Sequence, residues 1–175
     1  EYTGIPDLID VCYFGDYGWW LIHWQDTIEY PPETGEKDHP GLKAFPGLRV
    51  GCPERYIDCP GVKMIRRKSR GVHGGNMVGW FFNTGASAVN LAINFGAKRV
   101  VLLGFDMTLD GKTGENNWHH NLKNKPNAAI LNKHIRHTNF LAEDLKKANC
   151  PVEVLNANPA SALECFPKVK IEDVL

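Results

Sequence analysis

Apolar and polar positions fall into blocks along this chain, and the block over residues 83–106 organises the rest. Within it Ala88, Leu91, Ala92 and Phe95 recur at helical spacing. Val89 and Ile93 widen that stripe beyond one face, which predicts a mostly buried helix. Asn83 or Thr84 is placed to cap its start, and Gly96 to end it in a left-handed conformation. Lys98 and Arg99 then sit where the negative end of the helix dipole favours cations. Val100, Val101, Leu102 and Leu103 form a short, wholly apolar run, which reads as a central parallel strand.

A second helix–strand pair follows. Leu131, Ile135, Thr138, Leu141 or Ala142, Leu145 and Ala148 trace one face of a helix that Asn127 can cap, and 152–155 reads as another parallel-type strand. Upstream, 10–16 reads as a strand closed by Gly15 and Asp16, with further strands over 48–51 and 62–65. The aromatic-rich 17–27, holding Trp19, Trp20 and Trp24, suits a helix packed on the sheet or bordering a pocket. Segment 29–47, with Pro31, Pro32, Pro40 and Pro46, reads as a surface excursion without its own core, and 71–79 as a loop beside a ligand edge. The succession of strand, helix, strand, long loop, helix and strand predicts an α/β fold. Its expected form is a Rossmann-like, mostly parallel sheet with helices on both faces and right-handed crossovers.

The length of 175 residues suits one Rossmann-like α/β domain over 1–175, and a start at Glu-Tyr-Thr-Gly without an initiator Met is what a processed or trimmed piece of a longer chain would show. Twenty basic residues balance 20 acidic ones, so no global field recruits nucleic acid or an acidic membrane. No apolar run approaches the ~20 residues of a membrane span, and no basic-then-apolar leader opens the sequence. The odd set Cys12, Cys52, Cys59, Cys150 and Cys165 argues for reduced thiols in a cytoplasmic setting. Cys52 and Cys59 lack a second pair at zinc-finger spacing, so they read as loop or core thiols.

The candidate chemistry gathers at one edge. In an open parallel sheet ligands bind outside the carboxyl ends of the strands, where Gly104, Phe105 and Asp106 leave the apolar run. The helix start lies near the same edge. Gly85 lets a ligand approach the backbone of 83–87, from Asn83 and Thr84 to Ser87, and free N–H groups with the dipole would hold a phosphate or carboxylate. The competing reading is that Asn83, Thr84 and Gly85 only cap a core helix. Asp16 is delivered to the end of the first strand, as a site carboxylate or an N-cap. The exit over 156–161, ending in Ser161, returns to the ligand edge, and the polar segment 108–126, with Asp110, Gly111, Trp118, His119 and His120, reads as a lid or binding loop. His23 reads as a hydrogen-bonded structural histidine before a catalyst. The cluster Arg66, Arg67, Lys68 and Arg70 reads as a solvated strand end before a polyanion site. Neither a Gly-x-Gly-x-x-Gly nor a Gly-x-x-x-x-Gly-Lys-Ser/Thr motif occurs, which leaves dinucleotide dehydrogenases and P-loop enzymes unsupported, and no His-Glu-x-x-His occurs.

The Asn83-Thr84-Gly85 turn, the buried helix, the strand ending at Asp106, the loop with His119 and His120, and the Asn158-Pro159-Ala160-Ser161 turn together resemble the C-terminal half of the bacterial sialyltransferase fold. They are equally similar to its phage-encoded and hydroxymethylpterin diphosphokinase-like relatives. The resemblance covers roughly 83–161. It implies a metal-independent, glycosyltransferase-like enzyme with a nucleotide-sugar donor as substrate and no further cofactor. Asn83, Thr84 and Gly85 would touch the donor, His120 or His119 would act as general base, and Ser161 would lie near the nucleotide. Ser87, Asp106 and Asp16 complete the expected substrate contacts. The sequence departs from that pattern in two ways: the first nucleotide-binding β-α unit, expected before Asp10, is missing, and no tyrosine follows Tyr56. Two other readings stand beside this one. One is an ATP-dependent diphosphokinase-like enzyme with a metal on Asp16, Asp106 or Asp110. The other is a non-catalytic phage structural or accessory module that keeps the fold. A phage origin would place the protein in the host cytoplasm or the virion.

Overall fold

In the computed structural model the described residues are 9–24, 27–28, 39–55, 57–109 and 128–174. They show helices combined with parallel strands, an α/β arrangement. The chain divides into two compact units, Glu1–Arg67 and Lys68–Leu175.

In the first unit strand β1 (Val11–Phe14) leads into helix α1 (Tyr17–His23). The two-residue strands β2 (Thr27–Ile28) and β3 (His39–Pro40) pair antiparallel. Strands β4 (Leu48–Gly51) and β5 (Val62–Met64) complete a three-stranded parallel sheet of order β1-β4-β5, with Val11 opposite Leu48 and Arg49 opposite Val62. Phe14, Leu42, Ile57 and Cys59 form its core, with Trp19, Trp20 and Trp24 packed against them, as the aromatic density suggested. The proline-rich segment departs from expectation at its end. Leu42 and Phe45 are buried around a 3₁₀ turn over Leu42–Ala44, because two apolar side chains in a short turn gain more from the core than from solvent. His23 stacks on Trp19 at 4.4 Å between ring centroids. Cys12, Cys52, Cys59, Cys150 and Cys165 are free thiols, and Cys52 meets the Tyr13 hydroxyl at 2.8 Å.

Strand β6 (Arg66–Lys68) carries the chain into the second unit. There strand β7 (Met77–Gly79), helix α2 (Thr84–Asn94), strand β8 (Arg99–Leu102), helix α3 (Ala128–Lys147) and strand β9 (Glu153–Asn156) follow in order. β8 and β9 pair parallel, with Val100 opposite Val154 and Leu102 opposite Asn156. Phe81, Ala86, Val89, Leu102, Leu141, Leu145, Val154, Leu163 and Phe166 make one core between helices and strands. Gly96 ends α2 at φ 87, as read from the sequence. Phe95 departs from its expected burial. It sits at the C-cap, where the helix unwinds, and is exposed. Among the described residues no helix is long and apolar enough to cross a membrane.

Candidate functional site

The start of α2 is built by a tight turn and a side-chain cap. Asn83 N–H donates to the Trp80 carbonyl at 3.1 Å, closing a turn whose central residues Phe81 and Phe82 have φ of 52 and 51. Positive φ at two successive phenylalanines is the geometry of a type I′ turn without the glycine or asparagine that normally fills it. Burial of Phe81 and its N–H bond to the Ser69 carbonyl, 2.9 Å, hold the chain there. Asn83 Oδ1 then accepts the Ala86 N–H at 3.1 Å and satisfies one orphan donor of the first turn. Asn83 is thus the cap that the sequence offered as an alternative to Thr84. The Gly85 N–H meets no acceptor among the described residues.

Gly85 serves a second purpose that differs from the one expected. A Cβ there would lie 2.6 Å from the Phe105 ring, so the open side of the glycine is filled by the residue that follows β8. The missing side chain admits Phe105 on that side.

The flank of α2 toward β7 is polar, and buried except at Asn94, which is half-buried. Asn83, Ser87, Asn90 and Asn94 recur at helical spacing beside the apolar stripe of Ala86 and Val89. Fully buried Asn90 accepts the N–H groups of Gly79 (2.8 Å) and His73 (3.0 Å) and donates to the His73 carbonyl (2.7 Å). Asn94 donates to the Met77 carbonyl at 2.9 Å. These amides supply hydrogen bonds that a second neighbouring strand, beside β6, would otherwise give β7. Arg70, one of the four clustered cations, is likewise structural. It forks onto Asp144 at 2.8 and 3.2 Å, reaches Glu143 at 3.1 Å and lies 4.1 Å over the Phe140 ring. Arg67 reaches the Gly15 carbonyl at 3.1 Å and Glu54 at 3.4 Å within the first unit.

Two histidines of α3 meet the turn, and sequence reasoning missed both. His134 Nδ1 lies 3.3 Å from Asn83 Nδ2. Asn83 Oδ1 already accepts from Ala86, so its amide presents N–H to His134, whose Nδ1 must be the acceptor. His137 is buried between Phe82 and Phe140, with ring centroids at 5.5 and 5.9 Å. Burial, with the charges of Lys133 and Arg136 nearby, pushes its pKa below the usual histidine value. Spacing could have shown its burial: His137 precedes Leu141 by one helical repeat of four, on the face read as apolar.

The exits of β8 and β9 are tied together. The Ser161 hydroxyl is buried, donates to the Phe105 carbonyl at 2.5 Å and accepts the Leu163 N–H at 3.0 Å. The exposed Asp106 carboxylate accepts from Asn158 Nδ2, and its carbonyl accepts the Ala162 N–H at 2.9 Å. Asn156, at the end of β9, is fully buried, and neither of its side-chain amide atoms has a partner among the described residues.

Of the residues singled out from the sequence, Asn83, Thr84, Gly85 and Ser87 share the first turn of α2, where Phe105 touches Gly85. Ser161 and Asp106 share the joined exits. Asp16 belongs to the first unit, where its carbonyl accepts the Trp20 N–H at 3.1 Å and its side chain makes no cap bond to α1. His119, His120 and Asp110 lie outside the described residues, as does most of 108–126. Among the described residues no cluster of three His, Cys, Asp or Glu side chains could hold a metal ion. No family model, curated protein or solved structure matches the chain.

Proposed function

We propose that this chain is a Rossmann-like, nucleotide-dependent transferase, of the metal-independent glycosyltransferase type, that seats a donor phosphate at the start of α2. The observation that carries the reading is the Gly85 N–H, uncommitted among the described residues, at the head of an 11-residue helix and two residues after the Asn83 cap. A phosphate oxygen would accept from that N–H in the positive field of the helix end. The transfer would break the bond between the sugar's anomeric carbon and the donor phosphate oxygen, and form a bond from that carbon to an acceptor hydroxyl oxygen. The hydroxyl proton passes to an imidazole, with His120 first and His119 second in this role. The nucleotide leaves with the bonding electron pair on its phosphate.

A second reading is a non-catalytic module, phage structural or accessory, that keeps the fold. It is favoured by the internal engagement of Ser161, whose hydroxyl is bonded on both sides, and by Phe105 filling the open face of Gly85.

Isothermal calorimetry with cytidine, uridine, guanosine and adenosine nucleotides and their sugar conjugates, with and without EDTA, tests both. The transferase reading expects binding that survives EDTA and sugar release or transfer on incubation. Binding without turnover favours the module, binding abolished by EDTA favours diphosphoryl transfer from ATP, and no nucleotide binding sinks the proposal.

A further inference from the structure

We propose that the buried side chain of Asn156, at the carboxyl end of β9, determines specificity at the site of the α2 start, by receiving a neutral part of the ligand that offers a hydrogen-bond donor beside an acceptor. This deepens the transferase reading and rests on it: the group belongs to the nucleotide or to the sugar it carries.

Asn156 is 0% exposed, and neither Oδ1 nor Nδ2 has a partner among the described residues. Its backbone, by contrast, is committed. The N–H donates to the Pro167 carbonyl at 2.8 Å and the carbonyl accepts the Val169 N–H at 3.0 Å, so the strand holds the residue while its amide is left over. Folding has stripped water from both amide atoms without returning a bond, a cost that a leucine of the same branched shape would not incur. Buried groups of this kind are rare and call for a partner.

The amide lies at the ligand edge and on the side of α2. Side chains alternate along a strand, so Asn156 shares the face of Val154, and Leu102 stands opposite it on β8. Leu102 and Val154 join Ala86 and Val89 of α2 in one core, which places α2 over that face. Phe105, three residues beyond Leu102, touches Gly85 in the first turn of the helix. On the exits, Leu103 and Gly104 after β8 and Pro159 and Ala160 after β9 are exposed, so the buried amide sits next to chain that meets solvent. The two positions divide a ligand by charge. A phosphate suits the Gly85 N–H and the positive helix end, whereas an anionic oxygen at Asn156 would meet Oδ1 and a cation would meet Nδ2. A vicinal diol of a sugar, or the edge of a nucleobase, presents a donor and an acceptor together and satisfies both atoms. Because the amide is already dehydrated, such a group gains its bonds without displacing water from the protein, and a ligand lacking it leaves both atoms stranded.

The test is titration calorimetry of the wild type and Asn156→Leu with CMP, UDP, GDP and ADP and with a sugar conjugate of each, together with melting of the ligand-free proteins. The substitution should weaken the bound nucleotide or conjugate about tenfold or more, the worth of two neutral hydrogen bonds, while the free variant melts at or above the wild-type temperature. A loss shared by nucleotide and conjugate assigns the contact to the base or ribose, and a loss confined to the conjugate assigns it to the transferred sugar. Unchanged affinity overturns the inference and leaves the transferase reading standing. So does a weakened affinity in a variant that melts lower, since the amide is then structural. A wild type that binds none of these ligands overturns both. Should Asn156→Leu not fold, the Asn156 Nδ2 protons of the wild type decide by NMR. A shift with slowed exchange on saturation with the nucleotide or conjugate supports the contact, and resonances that do not move overturn it.

Discussion

The Asn83 side chain joins two helices: its oxygen caps α2 at the Ala86 N–H, and its nitrogen lies 3.3 Å from His134 Nδ1 on α3. One amide thus fixes both the start of a helix and the tautomer of a histidine 51 residues later in the chain. Asn83→Ala should cost about 1 kcal/mol or somewhat more, as lost caps do, while Asn83→Asp should keep the cap. Urea denaturation of both variants checks this. A double-mutant cycle with His134→Ala should return a coupling of roughly 0.5 kcal/mol or more, and strict additivity would show that the 3.3 Å contact is not energetically real.

Asn90 should be the most sensitive polar position of α2. Truncation to Ala strands the N–H groups of Gly79 and His73 and the His73 carbonyl, all served by one buried amide. With each stranded group costing about 1–3 kcal/mol, Asn90→Ala should destabilise by roughly 3 kcal/mol or more. Asn94→Ala, which loses one bond, should cost about 1 kcal/mol. Equal midpoint shifts in denaturant for the two variants would contradict this account.

Gly85→Ala should destabilise the second unit by about 1–3 kcal/mol through overpacking on the Phe105 ring. Pairing it with Phe105→Leu should recover part of the loss. Calorimetric melts of the single and double variants distinguish this from a ligand-only role, in which Gly85→Ala would leave the melting temperature unchanged. Larger substitutions at Gly85 will therefore perturb the fold as well as any bound anion.

Asp144 couples the segment at Arg70 and Gly71 to α3 and should make stability fall in acid. Burial pushes its carboxyl up, but bonds from Arg70 and the Gly71 N–H outweigh this and hold it below 3.8. A depressed carboxyl contributes stability that is fully present above 3.8 and is lost as pH falls through its folded value. Arg70 is partly exposed, so Asp144→Ala should cost only about 1–2 kcal/mol at neutral pH. Denaturation midpoints between pH 6 and 3 should drop less steeply in Asp144→Ala than in the wild type.

Local sequence determined the elements. Helical spacing with a capping Asn83 and a terminating Gly96 located α2, and short apolar runs located β1, β4, β8 and β9, because both signals depend on neighbours a few residues away. The parallel pairing of β8 with β9 also followed from the helix between them, since parallel strands require a crossover. Tertiary structure decided which polar groups are available. Ser161 reads as a free hydroxyl until the Phe105 carbonyl lies 2.5 Å away, and Gly85 reads as an opening until Phe105 occupies it. Asn90 carries no signal of its own in the sequence, and its role appears only when β7 and the segment at His73 bring three backbone groups to it. His134 and His137 became the histidines of the α2 start only because α3 packs there, a contact between residues some 50 positions apart. Hydrogen bonding and burial at a site depend on partners distant in sequence, and periodicity carries no record of them.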